Sequence, residues 1–362
     1  MQLTIAQSKL SDVLAKAAAV VERKNTIPIL SNILLSAETG ILHVRASDLD
    51  IEVSTKTVAE VIDHGSTTVS ASLLSDIVKR LGKKTDVTLH LDNGTLHVKS
   101  GRSKFKLATL PAEDFPVMSN NEFDNVSTVD ASILLSIFNR TKFAMSTEEI
   151  RFYLNGVYLH NTDDGSLRGV STDGHKLACM TTDIDAIVSP VIVPKKTVLE
   201  ICKLVTSGDV ELSTSGTKLK IVTDDVTMVS KVIDGTFPDY TKVIPKGNNK
   251  VAIVDAKDFS GASDRVTLVA DNRTKAVKLS LSKDCCVMNV NSSSGEASEE
   301  ISIGYSDDPM VIGFNSKYLS DALAQSENGS VELRFNGTTD PVLIEPREYE
   351  GFQAVVMPMR VN

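Results

Sequence analysis

The feature that most limits what this chain can fold into is a threefold repeat. "LTIAQSKLSDVLAKAAAVV" begins at Leu3, "STVDASILLSIFNRTKFA" at Ser127 and "VAIVDAKDFSGASDRVTLVA" at Val251. Each opens with alternating apolar residues, passes a short polar turn and continues at helical spacing. Each therefore reads as a strand running into an amphipathic helix. A second strand–helix unit follows in every case: "TTVSASLLSDIVKRL" from Thr67, "PVIVPKKTVLEICKLV" from Pro190 and "PMVIGFNSKYLSDAL" from Pro309. The starts give a period of about 124 residues. That is too long for a solenoid repeat and right for a whole domain.

The pattern predicts an α+β fold of three repeated domains, each an antiparallel sheet with two helices. The expected boundaries are 1–120, 121–246 and 247–362. In the first helix Leu10, Val13, Leu14, Ala17 and Val21 fall on one stripe, and in the second Leu73, Ile77 and Leu81 do so. "VTLHLDNGTLHVKS" predicts a hairpin turning at Asn93-Gly94. The first two domains close on matching text, "FKLATLPAEDFP" (105–116) and "VSKVIDGTFPDY" (229–240). The stretches 116–125 and 245–249 are polar, with Pro or Gly, and suit linkers.

Charge is distributed unevenly. The chain is acidic, −9 at pH 7, yet its six helical segments sum to +9 and leave −18 for the rest. Lys9, Lys16 and Arg23 recur every seven residues and share a face, and the second helical segment ends in Lys79, Arg80, Lys83 and Lys84. Dipole compensation accounts for basic residues at any one helix end. Four basic helices in an acidic background predict a positive helical face and a negative strand face. No charged-then-apolar leader opens the sequence and no apolar run is long enough to span a membrane, so a cytoplasmic protein is expected. Cys179, Cys202, Cys285 and Cys286 form no CxxC, which fits reduced thiols.

Catalytic signatures are missing: there is no GxxxxGK[ST], GxGxxG, HExxH or GxSxG. The six histidines are scattered. In "TDGHKLA" (172–178) an Asp173–His175 pair competes with a plain turn bending at Gly174. Asp163-Asp164 and Asp224-Asp225 read as turn residues. No catalytic residue, metal ligand or cofactor site is expected. The chain ends on "VVMPMRV" (355–361), which is either a strand closing a core or a docking site lined by two soft methionines and a proline.

"TDGHKLA", "FPDY" and "VMPMR", set on the threefold repeat, resemble the bacterial DNA sliding clamp family; "ERKNTIPILSNILL" (22–35) and "SGRSKFKLATLPAEDFP" (100–116) are similar to its first domain. The resemblance covers the whole chain. It implies a processivity factor without catalysis, a head-to-tail dimeric ring with helices facing a hole threaded by double-stranded DNA. The implied partners are the DNA polymerase III alpha subunit, the clamp loader, and other polymerases and repair proteins bearing a clamp-binding peptide. The competing readings are an enzyme acting at "TDGH" and an inert scaffold.

The family's peptide groove maps onto Leu154, Thr172, Gly174, His175, Lys176, Leu177, Pro238, Lys242, Val243, Asn315, Tyr318, Val342, Val356, Met357, Pro358, Met359 and Arg360. Lys176 and Lys242 stand where the family often has arginine, and its aromatic near 273–275 is missing. Expected phosphate neighbours are Arg23, Lys24, Lys79, Arg80, Arg140, Lys142, Lys195, Lys196 and Lys203. The expected dimer contacts pair Arg102, Lys104 and Lys106 with Glu296, Glu299 and Glu300 along two edge strands, around an apolar centre of Leu107, Leu268 and Val269.

Overall fold

Among the described residues six helices each follow directly on a strand. They are α1 (Gln7–Ala18), α2 (Ala71–Arg80), α3 (Ala131–Thr141), α4 (Lys195–Leu204), α5 (Ala256–Val266) and α6 (Ser316–Leu323), after Gln2–Ala6, Gly65–Ser70, Asn125–Asp130, Val191–Pro194, Lys250–Asp255 and Met310–Asn315. The computed structural model describes residues 1–361 except 23–25, 119–122, 124, 185 and 327–328. The repeat seen in the sequence is thus a repeat of strand–helix units. Several helix starts are capped by the last polar residue of the strand. Ser70 accepts from Leu73 N, Asp255 from Lys257 N and Asp258 N, and Asn315 from Lys317 N and Tyr318 N. A side-chain oxygen at that position satisfies amides that have no partner inside the helix.

Two sequence expectations shift. α1 stops at Ala18, so its buried stripe is Leu10, Val13, Leu14 and Ala17, and Val21 lies beyond the helix. Arg23 and Lys24 lie outside the described residues. In α2 the buried face is Ala71, Leu74, Ile77 and Val78, while Leu73 is 48% exposed. The cap at Ser70 fixes the phase of the helix, and steps of three and four from Ala71 reach Leu74 and Val78, not Leu73 and Leu81.

The chain divides into two compact units, 1–132 with 186–232, and 133–185 with 233–362. In the first, Val226–Lys231 pairs antiparallel with Ile51–Val58, so a strand of the second repeat extends the sheet of the first. Glu52, at the start of that strand, is buried and accepts the Met118 amide at 2.8 Å, with Arg45 at 3.6 Å. Burial raises its pKa against the pull of these two partners. It thereby fastens the beginning of the first predicted linker. The predicted hairpin is present, Asp86–Asp92 with Thr95–Ser100, and Asn93 and Gly94 both take positive φ, 46° and 74°.

The second unit repeats the device. Phe352–Val356 lies between Lys176–Thr182 of the second repeat and Val342–Pro346 of the third, antiparallel to both. Phe352, Ala354, Val355 and Val356 are buried. A separate four-stranded sheet in this unit runs in the order Gly295–Ser302, Cys285–Ser292, Ala276–Ser282, Met310–Asn315. Among the described residues no helix is long and apolar enough to cross a membrane.

Candidate functional site

The C-terminal strand ends in a groove. Its first wall is the turn 172–177. Thr172 Oγ1 donates to Lys176 O and accepts from Gly174 N. The Asp173 carboxylate accepts from His175 N and Lys176 N, both at 2.9 Å. Both bonds end on Oδ1 and close the turn, while Oδ2 faces the Lys176 ammonium, which favours the plain-turn reading of this motif. Gly174 has φ +89, and a Cβ there would fall 2.6 Å from Arg151 Nη1. The positive φ calls for glycine, while the guanidinium, at the end of a flexible side chain, can move aside.

The second wall is the segment 235–243, held by buried aromatics. Phe237 stacks on Tyr158 with centroids 5.0 Å apart. Tyr240 Oη accepts from Arg168 Nη1 at 3.2 Å and donates to His160 Nε2 at 3.0 Å. His160 Nδ1 faces the Asn161 carbonyl at 2.7 Å, so that nitrogen carries the proton. Burial pushes the His160 pKa below its usual value. These contacts set Pro238 and Val243 in place.

Between the walls lies an apolar cavity of ≈ 250 Å³. Leu154, Thr172, Gly174, His175, Lys176, Leu177, Pro238, Val243 and Met357 line it, together with Arg151, Tyr153 and Val355. The last three escaped the sequence reading. Arg151 and Tyr153 precede Leu154 in "RFYL", where Leu154 alone is buried, and the sequence carries no signal that singles them out. Arg151 is fixed by Glu148 at 2.8 Å, which also raises its pKa.

The other expected groove residues separate. Tyr318 stacks near His175, centroids 6.4 Å apart, and lies under the Lys176 ammonium at 4.4 Å. Burial, then Asp173 and Asp321, raise the Tyr318 pKa, so the phenol stays neutral. Lys176 is 8% exposed and sits 3.7 Å from Asp173 and 3.6 Å from Asp321. Its charge is engaged inside the protein. Asn315 spends its side chain on the α6 cap. Lys242 is exposed and paired with Asp239 at 2.9 Å, which raises its pKa. Val342 and Val356 are fully buried in the sheet and offer no side-chain surface to a ligand. Pro358 is half-buried beside Met357. Met359 and Arg360 line a different cleft, with Thr274, Lys278 and Asn291 among others.

The basic residues are less free than composition suggests. Lys16 bonds Asp12 and Asp225; burial lowers its pKa, but these two acids outweigh it and the net shift is upward. Lys196 is held the same way by Glu22 and Asp48. Lys203 pairs with Glu200 at 2.7 Å and Lys142 reaches Asn139 at 2.6 Å. Arg140 donates to Gln325 O and covers the Tyr349 ring at 3.7 Å. Lys195 is half-buried, while Lys79 and Arg80 are exposed at the end of α2.

Each expected dimer strand has an open side. Ser103–Leu110 pairs along 103–108 with Thr95–Ser100, and on its other side, among the described residues, only Thr109 and Leu110 find strand partners. Lys104 and Lys106 are exposed along it, and Arg102 is exposed in the turn that precedes it rather than on the strand. Gly295–Ser302 ends the four-stranded sheet, with Glu296 and Glu300 exposed. Glu299 is instead bound by Arg265 at 2.5 Å. Leu268 is 84% exposed and Val269 half-buried. Leu107, however, is 5% exposed: its side chain points into its own core, which removes it from the expected apolar centre.

Profiles of the DNA polymerase III beta subunit match in chain order: the N-terminal domain over 1–119, the central domain over 128–239 and the C-terminal domain over 241–360. The chain belongs to the DNA polymerase III beta subunit family. It is 41% identical over 372 residues to the beta sliding clamp of Caulobacter vibrioides and 34% identical over 368 residues to that of Pseudomonas aeruginosa, covering 100% of both chains in each case. Among solved structures it is similar to a sliding clamp from Bartonella birtlesii bound to griselimycin, with a TM-score of 0.97 at 39% identity and 100% coverage of both chains. It is also similar to the Caulobacter crescentus DNA polymerase sliding clamp, with a TM-score of 0.94, 39% identity and the same full coverage. The threefold α+β architecture is that of the clamp fold.

Proposed function

We propose that this protein is a DNA polymerase processivity clamp: a head-to-tail dimeric ring that encircles duplex DNA in the cytoplasm and tethers polymerases through the groove at its C-terminal strand. It acts by binding, not catalysis. The observation that carries this reading is the apolar cavity between the 172–177 turn, the 235–243 segment and Met357, on a chain built throughout like a sliding clamp. An extended peptide with a glutamine and a pair of apolar side chains fits such a site. Burying a few apolar groups at about 25 cal/mol per Å², against the cost of ordering the peptide, corresponds to roughly micromolar binding. Weak binding lets the polymerase alpha subunit, the clamp loader and repair proteins exchange on one site.

Three domains, 1–120, 121–246 and 247–362, supply the helices of the ring's inner face. Lys79 and Arg80, and Arg23 and Lys24 beyond α1, contribute contacts to phosphates that carry no sequence information. Such contact alone has a dissociation constant of roughly 10⁻⁴–10⁻⁶ M at physiological salt. Long residence then comes from topology. The edge strands Ser103–Leu110 and Gly295–Ser302 join between protomers, with Leu268 and Val269 as the apolar centre. The test is loading with a clamp loader and ATP onto nicked circular DNA and onto the same DNA linearised. The ring should stay on the circle and slide off the line. Equal retention on both forms would overturn the proposal.

A further inference from the structure

The tail beyond the last strand is pinned at two points. Met357 N donates to His175 O at 2.9 Å, and Met359 N donates to Gly313 O at 2.8 Å. Pro358, between them, has no amide to donate and a fixed φ. Gly313 lies in Met310–Asn315, at the end of the four-stranded sheet opposite Gly295–Ser302, so the tail is its neighbour on that open side. Its backbone is that of a regular strand, and it is absent from the glycines with left-handed φ among the described residues. Turn geometry does not call for glycine here. The neighbours do. A Cβ on Gly313 would stand 2.5 Å from Val361 Cγ1 and 2.6 Å from the Met359 carbonyl oxygen. Both are far inside the roughly 3.5–4.0 Å of a favourable contact. A valine side chain can rotate away, but the Met359 oxygen belongs to the backbone and moves only if the tail moves.

We infer that Gly313 is a positioning residue for the peptide groove: it seats the tail against the sheet edge and so sets where Met357 stands as the groove's wall. This rests on the groove reading above. Met357 lines the ≈ 250 Å³ cavity, and two residues further on Met359 and Val361 line a separate ≈ 780 Å³ cleft. Displacing the tail alters the apolar cavity without touching either of that cavity's other walls.

The experiment is a double-mutant cycle. Peptide affinity is read by fluorescence polarisation with a fluorescein-labelled peptide carrying one glutamine and a leucine–phenylalanine pair. The four proteins are the full chain, Gly313→Ala, the chain truncated after Pro358, and the truncated chain with Gly313→Ala. Truncation removes both atoms that the new methyl group meets. The expected result is a roughly tenfold weaker complex for Gly313→Ala in the full chain and no further change in the truncated one, since sites that act through one element are non-additive. The Met359 amide should also exchange faster in Gly313→Ala, while the melting temperature stays close to that of the parent. Unchanged affinity for Gly313→Ala, with loss on truncation, would overturn this inference and leave the groove standing. Equal weakening in both backgrounds would also overturn it, because the methyl group would then act through the sheet. Full affinity in all four proteins would likewise overturn this inference, whereas no binding of the peptide by the full chain would defeat the groove reading itself.

Discussion

Two deletions separate the core part of the C-terminus from its binding part. Removing 357–362 takes away the tail but leaves Phe352–Val356 between its two partner strands. Two backbone hydrogen bonds are lost, each worth a net 0.5–1.5 kcal/mol, so stability falls by about 1–3 kcal/mol. At 2–4 °C per kcal/mol for a unit of this size, melting drops by roughly 2–12 °C. Removing 352–362 is another matter. Phe352, Val355 and Val356 are almost wholly buried, and each contributes about 1.5–3 kcal/mol by burial. Their loss, about 5–9 kcal/mol together, is comparable with the entire stability of a typical domain, 5–15 kcal/mol. It also leaves Lys176–Thr182 and Val342–Pro346 without a shared partner. The shorter deletion should give a folded protein that no longer binds peptide, and the longer one a protein whose second unit is unfolded. Calorimetry and fluorescence polarisation on the same samples decide it. If the shorter deletion unfolded the protein as the longer one does, the tail would be core and the separation argued here would be wrong.

Native mass spectrometry should find a dimer of about 78 kDa, two copies of 39.0 kDa. Leu268→Ala with Val269→Ala should shift it toward monomer at nanomolar concentration, and a fully dimeric double mutant would reject the interface. His160 is held neutral in the fold, its pKa depressed by burial, so its contribution is present above the usual histidine pKa of about 6.5 and is lost as pH falls below it. His160→Gln should flatten the decline in melting temperature between pH 7 and pH 5, and an unchanged slope would exclude His160 as its source. Burial pushes the Cys179 and Cys286 thiols up to about 11 and about 12. At pH 8 a maleimide should label Cys202 and Cys285 first, and rapid modification of all four by peptide mapping would contradict that burial.

The repeat, the helix starts and the Asn93-Gly94 hairpin were legible because each is written in local spacing. What escaped depends on residues far away in sequence. The phase of α2 was misread because Leu73 and Leu74 are equally apolar, and only the Ser70 cap and the sheet beneath decide which is buried. The positive helices were overstated because Asp225 and Asp48, which engage Lys16 and Lys196, come from loops more than a hundred residues away from these lysines. Leu107 looked available for an interface because strand alternation gives two faces and no sign of which is inward. The groove residues sorted themselves by depth. The family's groove was mapped position by position, so it carried Val342 and Val356 along with Met357 although the sheet buries the first two.

The place of Phe352–Val356 in its sheet has a consequence for how the protein is made. Lys176–Thr182 emerges from the ribosome well before the strand that pairs with it. Residues 182 and 352 are 170 positions apart. At 5–20 residues per second, that strand waits roughly 10–35 s with one side open. During that interval it presents a long apolar edge to other nascent chains and to chaperones. The same stretch that shuts the edge also completes the apolar cavity through Val355 and Met357. A truncated translation product therefore lacks both, and cannot occupy a partner with a half-built protein.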